Sequence, residues 1–425
     1  MRKNKVVLLF FVFLLLVSTF AGQTAQALEG EERYRLSKVL VLSRHNLRSP
    51  TKGGSRIVNS LTPHSWFHWT AGPGELSMKG AQLETIMGQY FRQWLESEGL
   101  IGANYVPEIG EMRFYANSYQ RTIATTRYFS SGMLPMANIR VERHFELNES
   151  DPVFLPSPPE TLSDEFRART AKEIEALGGI RGIGKRLESD AALIAEIIDF
   201  KDSEYAQKKG MTSFTADDLS FDIDTMRLTG SLRVAGRASD ALSLQYYEAD
   251  GKDLAKAAFG HKLTFEQWQS IARVKDMGIT SYFYLPTMSR MFARPLLAVM
   301  RDELAEDGRI FTFLCGHDVN LATVLPALDV EEFTLQDTIE EKTPIGAKLV
   351  IEKRLNEDGE SYGSLKLVYQ SATQMQRREP MSLENPPILV PLRLKGLHAN
   401  EDGLYSFDEI VRRFEEAIAA ADEVA

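Results

Sequence analysis

The chain reads as an α/β layered protein with an α-helical insertion, and three observations lead there. In its first and last thirds, short β-rich runs alternate with segments of helical periodicity. From Pro152 to about Tyr282, helical patterns continue without a convincing strand, opening on the Pro-rich stretch Leu155-Pro156-Ser157-Pro158-Pro159. At 425 residues, the chain is also too long for one simple core. The expected division is a leader over 1–27, a discontinuous α/β domain over 28–151 and 283–425, and a helical domain over 152–282.

The N-terminus has the pattern of a secretory signal. Arg2, Lys3 and Lys5 precede an apolar run from Val6 to Phe20, and Ala25-Gln26-Ala27 supplies an A-x-A cleavage site. The run is short for a spanning helix, so the body is expected to be periplasmic or secreted, with no membrane association after cleavage; an uncleaved anchor is the alternative. Strands are expected at Val39–Ser43, Arg113–Ala116, Ile139–Arg143, Ile310–Cys315, Lys348–Lys353, Leu365–Tyr369 and Ile388–Leu394, each rich in β-branched or aromatic residues between polar or Gly/Pro breaks. Helical periodicity marks Met78–Ser97, Gln120–Ser130, Leu232–Glu248, Phe265–Lys275, Ser289–Leu304 and Phe407–Ala420.

Composition narrows the function. The formal net charge is −10, and loss of the basic leader would make the body more acidic still. Generic nucleic-acid binding needs a basic face, so it is disfavoured. A single cysteine, Cys315, excludes an internal disulfide and reads as a small buried strand residue. His64 and His68 are four apart but have no third ligand nearby, so no metal is expected.

Against this acidic background one heptapeptide stands out: Arg44-His45-Asn46-Leu47-Arg48-Ser49-Pro50. It follows the apolar run Lys38-Val39-Leu40-Val41-Leu42, and in open α/β sheets ligands bind at the carboxyl ends of strands. Two guanidiniums can fork onto phosphate oxygens, and the imidazole between them can attack phosphorus. The plain alternative is a strand-to-turn junction with solvated arginines. A second junction is Gly316-His317-Asp318, followed by a helix over Asn320–Leu328. A helix N-terminus favours anions, although Asp318 could equally be an ordinary N-cap. The third is Tyr115-Ala116-Asn117-Ser118-Tyr119-Gln120-Arg121-Thr122, which puts Arg121 in a first helical turn. A cation there opposes the helix dipole, so it either points to solvent or meets an anion. Convergence of the three junctions on one phosphoryl group explains all of them together.

With these residues in hand, the chain resembles the histidine acid phosphatases, marked by an Arg-His-Gly-x-Arg-x-Pro block and a later His-Asp. The further segments Leu244-Gln245-Tyr246-Tyr247-Glu248, Thr343-Pro344-Ile345-Gly346 and Val368-Tyr369-Gln370-Ser371-Ala372 carry the likeness in the same order over nearly the whole chain. Asn46 stands where most of that family has Gly, which is a mark of its glucose-1-phosphatase-like subgroup.

The resemblance implies a phosphoglycerate-mutase-like mixed sheet flanked by helices, with a helical domain over the site. It implies His45 as the phosphorylated nucleophile and Asp318 as proton donor to the leaving oxygen. Arg44, Arg48, Arg121 and His317 would bind the phosphate, and Glu248 would reach toward a sugar. Glu248 could also simply cap a solvated helix end. No cofactor is implied, because arginines supply the positive charge. The expected partner is a small phosphate monoester, either a sugar phosphate or an inositol phosphate. A phytase, a broad acid phosphatase and a secreted protein that only captures phosphorylated ligands remain as alternatives. The family's enteric members carry several cysteines that this chain lacks, so their disulfides do not transfer.

Overall fold

The computed structural model describes residues 33–251, 253–278 and 281–423. The expected signal segment and its cleavage site lie outside these residues. The central sheet contains β1 (Arg35–Arg44), β2 (Met112–Ala116), β5 (Phe311–Gly316), β6 (Lys348–Leu355), β7 (Ser361–Tyr369) and β8 (Ile388–Leu392), in the order β2-β5-β1-β6-β7-β8. The short β9 (Tyr405–Ser406) adds to β7. Strands β2, β5 and β1 run parallel, whereas β6 pairs antiparallel with β1, so the sheet is mixed.

Both faces of the sheet are covered, which is why its inner strands read as nearly continuous apolar runs. Leu40, Leu42 and Leu314 face a core shared with the helices Pro286–Ala305 and Phe407–Asp422. Val39, Val41 and Phe313 face another, built with the helices Met78–Ser97 and Gln120–Met133. Alternate residues of one strand thus enter opposite cores. A separate core gathers the helices between Glu188 and Gly278, around Trp268, Tyr247 and Leu242.

Two expectations need correction. Ile139–Arg143 is not a strand. It meets β2 through one isolated bridge, Tyr115 to Glu142, with two backbone hydrogen bonds, and then leaves the sheet edge. The segment 152–282 is not purely helical either. It holds a two-stranded antiparallel ribbon of β3 (Ser220–Asp222) and β4 (Arg227–Thr229). Three residues per strand are too few for a period-2 signal to register. Cys315 is fully buried in β5, as expected, and burial pushes its thiol up to about 12.

Candidate active site

Parallel pairing brings three strand ends into line. Arg44 pairs with Gly316, and Ala116 with Cys315. The ladder continues one step: His45 N–H donates to Gly316 O at 3.0 Å, and Asn117 N–H donates to Cys315 O at 3.0 Å. His45, His317 and Asn117 therefore leave the sheet side by side. Gly316 is required at this point, because a Cβ there would lie 2.1 Å from Asn320 Oδ1.

The sequence expected a convergence of six residues, and the six form one connected group. The His45 and His317 rings lie 5.5 Å apart, edge to face. Nη2 of Arg121 is 3.2 Å from Nδ1 of His317. Nη2 of Arg44 is 3.5 Å from Asp318 Oδ2. Arg48 joins through Asp240, at 3.2 Å, and Asp240 is in turn 3.5 Å from Lys275, which contacts Asp318. Arg44, His45 and His317 are almost wholly buried, while the Asp318 side chain keeps 23% of its exposure. Asp318 is not the N-cap. His317 holds that position, and its N–H is met by Asn320 Oδ1 at 2.7 Å.

The His45 ring is fixed from behind. Its Nδ1 lies 2.8 Å from the Asn46 carbonyl oxygen, which can only accept, so Nδ1 carries the proton and Nε2 keeps its lone pair. Asn46 is itself held: its side-chain NH₂ donates to Glu84 Oε1 at 2.7 Å, and its N–H donates to Thr125 Oγ1 at 3.1 Å. Glu84 pairs with Lys348 at 3.1 Å, and neither side chain is exposed. This is what Asn supplies in place of Gly: a side-chain tie from the residue next to His45 to a buried ion pair. The Thr343–Gly346 turn closes the same end of β1. Thr343 O accepts from Nη1 of Arg44, and Gly346, at φ 74°, packs where a Cβ would be 2.6 Å from Asn46 Nδ2.

Electrostatics set the protonation states. Burial and the neighbouring Arg121, with His317, Arg48 and Arg44 adding to it, hold His45 well below the usual imidazole range. His317 is lowered by burial and Arg121 against the opposing charge of Asp318. Burial and the arginines thus favour the neutral form of both rings. Burial raises Asp318, but Lys275 at 2.9 Å, together with Arg44, outweighs it and leaves the carboxyl well below its ordinary value. Arg121 falls to about 10 through burial and the repulsion of Arg48. Nε of Arg44 and Nε of Arg121 are buried with no acceptor among the described residues. Clustered guanidiniums with unmatched donors favour an anion that supplies charge and acceptors together.

Three participants were not found from sequence. Lys275 comes from the Phe265–Gly278 helix and Asp240 from the Ser231–Glu248 helix. Asp240 lies eight residues before Glu248 on the same stripe, which is the one signal that could have raised it. Asn117 stood inside a quoted segment without a role. Glu248 is not joined to the arginine–histidine cluster by any contact among the described residues. Its Oε2 accepts from Ser77 Oγ at 3.0 Å, and Lys79 Nζ donates to its backbone carbonyl at 3.2 Å.

A parallel-strand end that sets a neutral histidine among three arginines, beside a carboxylate, fits the class of phosphoric monoester hydrolases. The chain belongs to the histidine phosphatase superfamily (branch 2), whose family model matches residues 35–166. It is 33% identical over 398 residues to a glucose-1-phosphatase of Salmonella typhimurium, covering 91% of this chain and 94% of that one. It is 27% identical over 435 residues to the phytase AppA of Escherichia coli K12, covering 96% and 98%. The fold matches the apo form of Hafnia alvei phytase with a TM-score of 0.81 at 24% identity, over 92% of this chain and 98% of that structure.

Proposed function

We propose that this protein is an exported acid phosphatase that hydrolyses phosphate monoesters through a phosphohistidine at His45, with a sugar monophosphate of the glucose 1-phosphate type as substrate. The observation that carries the reading is the His45 ring, whose Nδ1 is committed to the Asn46 carbonyl, leaving an unprotonated Nε2 beside the arginines. Export rests on the leader pattern of the sequence.

The dianion of a phosphate monoester repels nucleophiles, so the site must first neutralise it. Arg44, Arg48 and Arg121 do so and hold phosphorus in line with Nε2. As the Nε2–P bond forms, the ester P–O bond breaks and its electron pair leaves on the alkoxide oxygen. Asp318 protonates that oxygen. Lys275 and Arg44 hold Asp318 as an ion-paired carboxylate, so it takes up its proton together with the substrate. The incoming negative charge competes for Arg44 and raises the Asp318 carboxyl toward its working range. Water then attacks the phosphohistidine, gives a proton to Asp318, and returns His45 neutral.

Substrate choice follows from charge at the edge of the site. Asp240 pairs with Arg48 and so sets a carboxylate against the cluster, and Glu248 ends the same helix. Carboxylates accept bonds from sugar hydroxyls and repel further phosphates. Burial raises the Glu248 carboxyl, and its bond from Ser77 shows that it can accept from a hydroxyl. The second reading, a phytase, is favoured by the similarity to phytase AppA. A panel of glucose 1-phosphate, phytate and p-nitrophenyl phosphate at matched pH tests the choice. Glucose 1-phosphate is expected to have the higher kcat/KM of the two natural esters. Glu248→Ala should lower that value roughly tenfold, as loss of a bond to a charged acceptor does, while sparing p-nitrophenyl phosphate. Phytate turned over faster than glucose 1-phosphate would overturn the sugar-phosphate assignment.

A further inference from the structure

Asn117 is fully buried where β2 ends, and its side-chain amide has one permitted orientation. Oδ1 accepts the backbone N–H of Ser118 at 2.8 Å and that of Asp151 at 3.0 Å. Turned over, the amide would aim its NH₂ at two donors. Nδ2 therefore faces Nε2 of His317, at 2.8 Å, and it can only donate. A neutral ring can accept from only one of its two donor neighbours, and the shorter contact, 2.8 Å against 3.2 Å to Arg121, assigns Nε2 as the acceptor and leaves the proton on Nδ1. That proton points toward Nη2 of Arg121, 3.2 Å away, which is also a donor. Two donors face each other, and an oxygen accepting from both would satisfy the pair.

We propose that Asn117 is a positioning residue that locks His317 in its Nδ1–H tautomer, so that a neutral imidazole and Arg121 present two N–H groups to one phosphoryl oxygen. The inference rests on the phosphatase reading of the site. The lock matters because the ring is surrounded by charge. Arg121 faces it from the Gln120–Met133 helix, and Arg44, His45 and Arg48 from the end of β1 and the loop beyond it. Asp318 follows in the chain, and the Tyr119 ring lies 5.5 Å away. The three guanidiniums disfavour an imidazolium, so the tautomer decides whether the ring attracts an anion or repels it. With the proton on Nε2, a lone pair would point at the phosphate.

Asn117→Asp tests this. One carboxylate oxygen can still take both backbone N–H groups, while the other accepts from His317 and draws the proton to Nε2. The Nδ1 proton then returns only when the ring becomes cationic, and the new carboxylate raises the pH at which that happens. The inhibition constant of inorganic phosphate is measured for both proteins across the acid to neutral range, and its ratio, variant over wild type, cancels the ionisation of phosphate itself. The ratio should be roughly tenfold or more near neutrality and fall toward one in acid. A ratio that does not change with pH would overturn the proposal, because a merely structural loss has no reason to recover in acid. A second readout needs no variant: ¹⁵N NMR of the wild-type ring should find Nδ1 protonated and Nε2 unprotonated, and the reverse would equally overturn it. A failure of the phosphatase reading looks different, namely a wild-type protein that neither binds phosphate nor turns over p-nitrophenyl phosphate.

Discussion

Replacing His45 with alanine should abolish turnover of every phosphate ester, by roughly 10⁴-fold or more, while leaving a folded protein. The size of the effect follows from the loss of the covalent route. The arginines would still bind phosphate, so the inhibition constant of inorganic phosphate should change much less than kcat. The ring's hydrogen bond to Asn46 O is local, and Asn46 remains anchored through Glu84 and Thr125. The far-UV spectrum and the unfolding midpoint therefore separate lost chemistry from lost structure. Turnover near the wild-type level in a folded His45→Ala protein would remove the nucleophile assignment.

Asp318→Asn should give the second largest effect, and a selective one. An alkoxide such as a sugar oxygen leaves poorly without a proton, whereas p-nitrophenolate leaves readily as an anion. The loss in kcat should be roughly 10²–10⁴-fold for a sugar phosphate and less than about tenfold for p-nitrophenyl phosphate. Lys275 and Arg44 bear on the pH dependence as well. They hold Asp318 well below the ordinary carboxyl range in the free protein. The group is thus ionised before substrate arrives, and acid activity depends on proton uptake in the complex. Lowering the pH favours that uptake, while His45, also held low, stays neutral and competent. Equal losses on both esters would exclude Asp318 as the proton donor.

Much of this was legible in the sequence because strand ends are legible. The apolar run before Arg44 and the one before Gly316 each marked a buried strand, and parallel pairing in register did the rest. Gly316 and Gly346 also read correctly as parts of motifs, for reasons of close approach that only coordinates reveal. Lys275 was hidden because a lone lysine near the end of a helix looks like surface charge, and its reach to Asp318 spans 43 positions of chain. Asn117 was hidden because its role depends on which way its amide points, set by Asp151 from another segment. The ribbon of β3 and β4 was missed for its shortness. Asn46 was singled out as the departure from the common motif, and the buried Glu84–Lys348 pair behind it gives that departure a physical meaning.

The central claim is covalent catalysis at His45. Its most direct test is rapid quench of the wild-type protein with radiolabelled substrate, followed by peptide mapping under alkaline conditions that preserve phosphohistidine. The expected result is a burst of label approaching one per chain, carried on His45 and discharged by water. Steady turnover with no trapped phosphoprotein under conditions that preserve phosphohistidine, or label on any other residue, would contradict it.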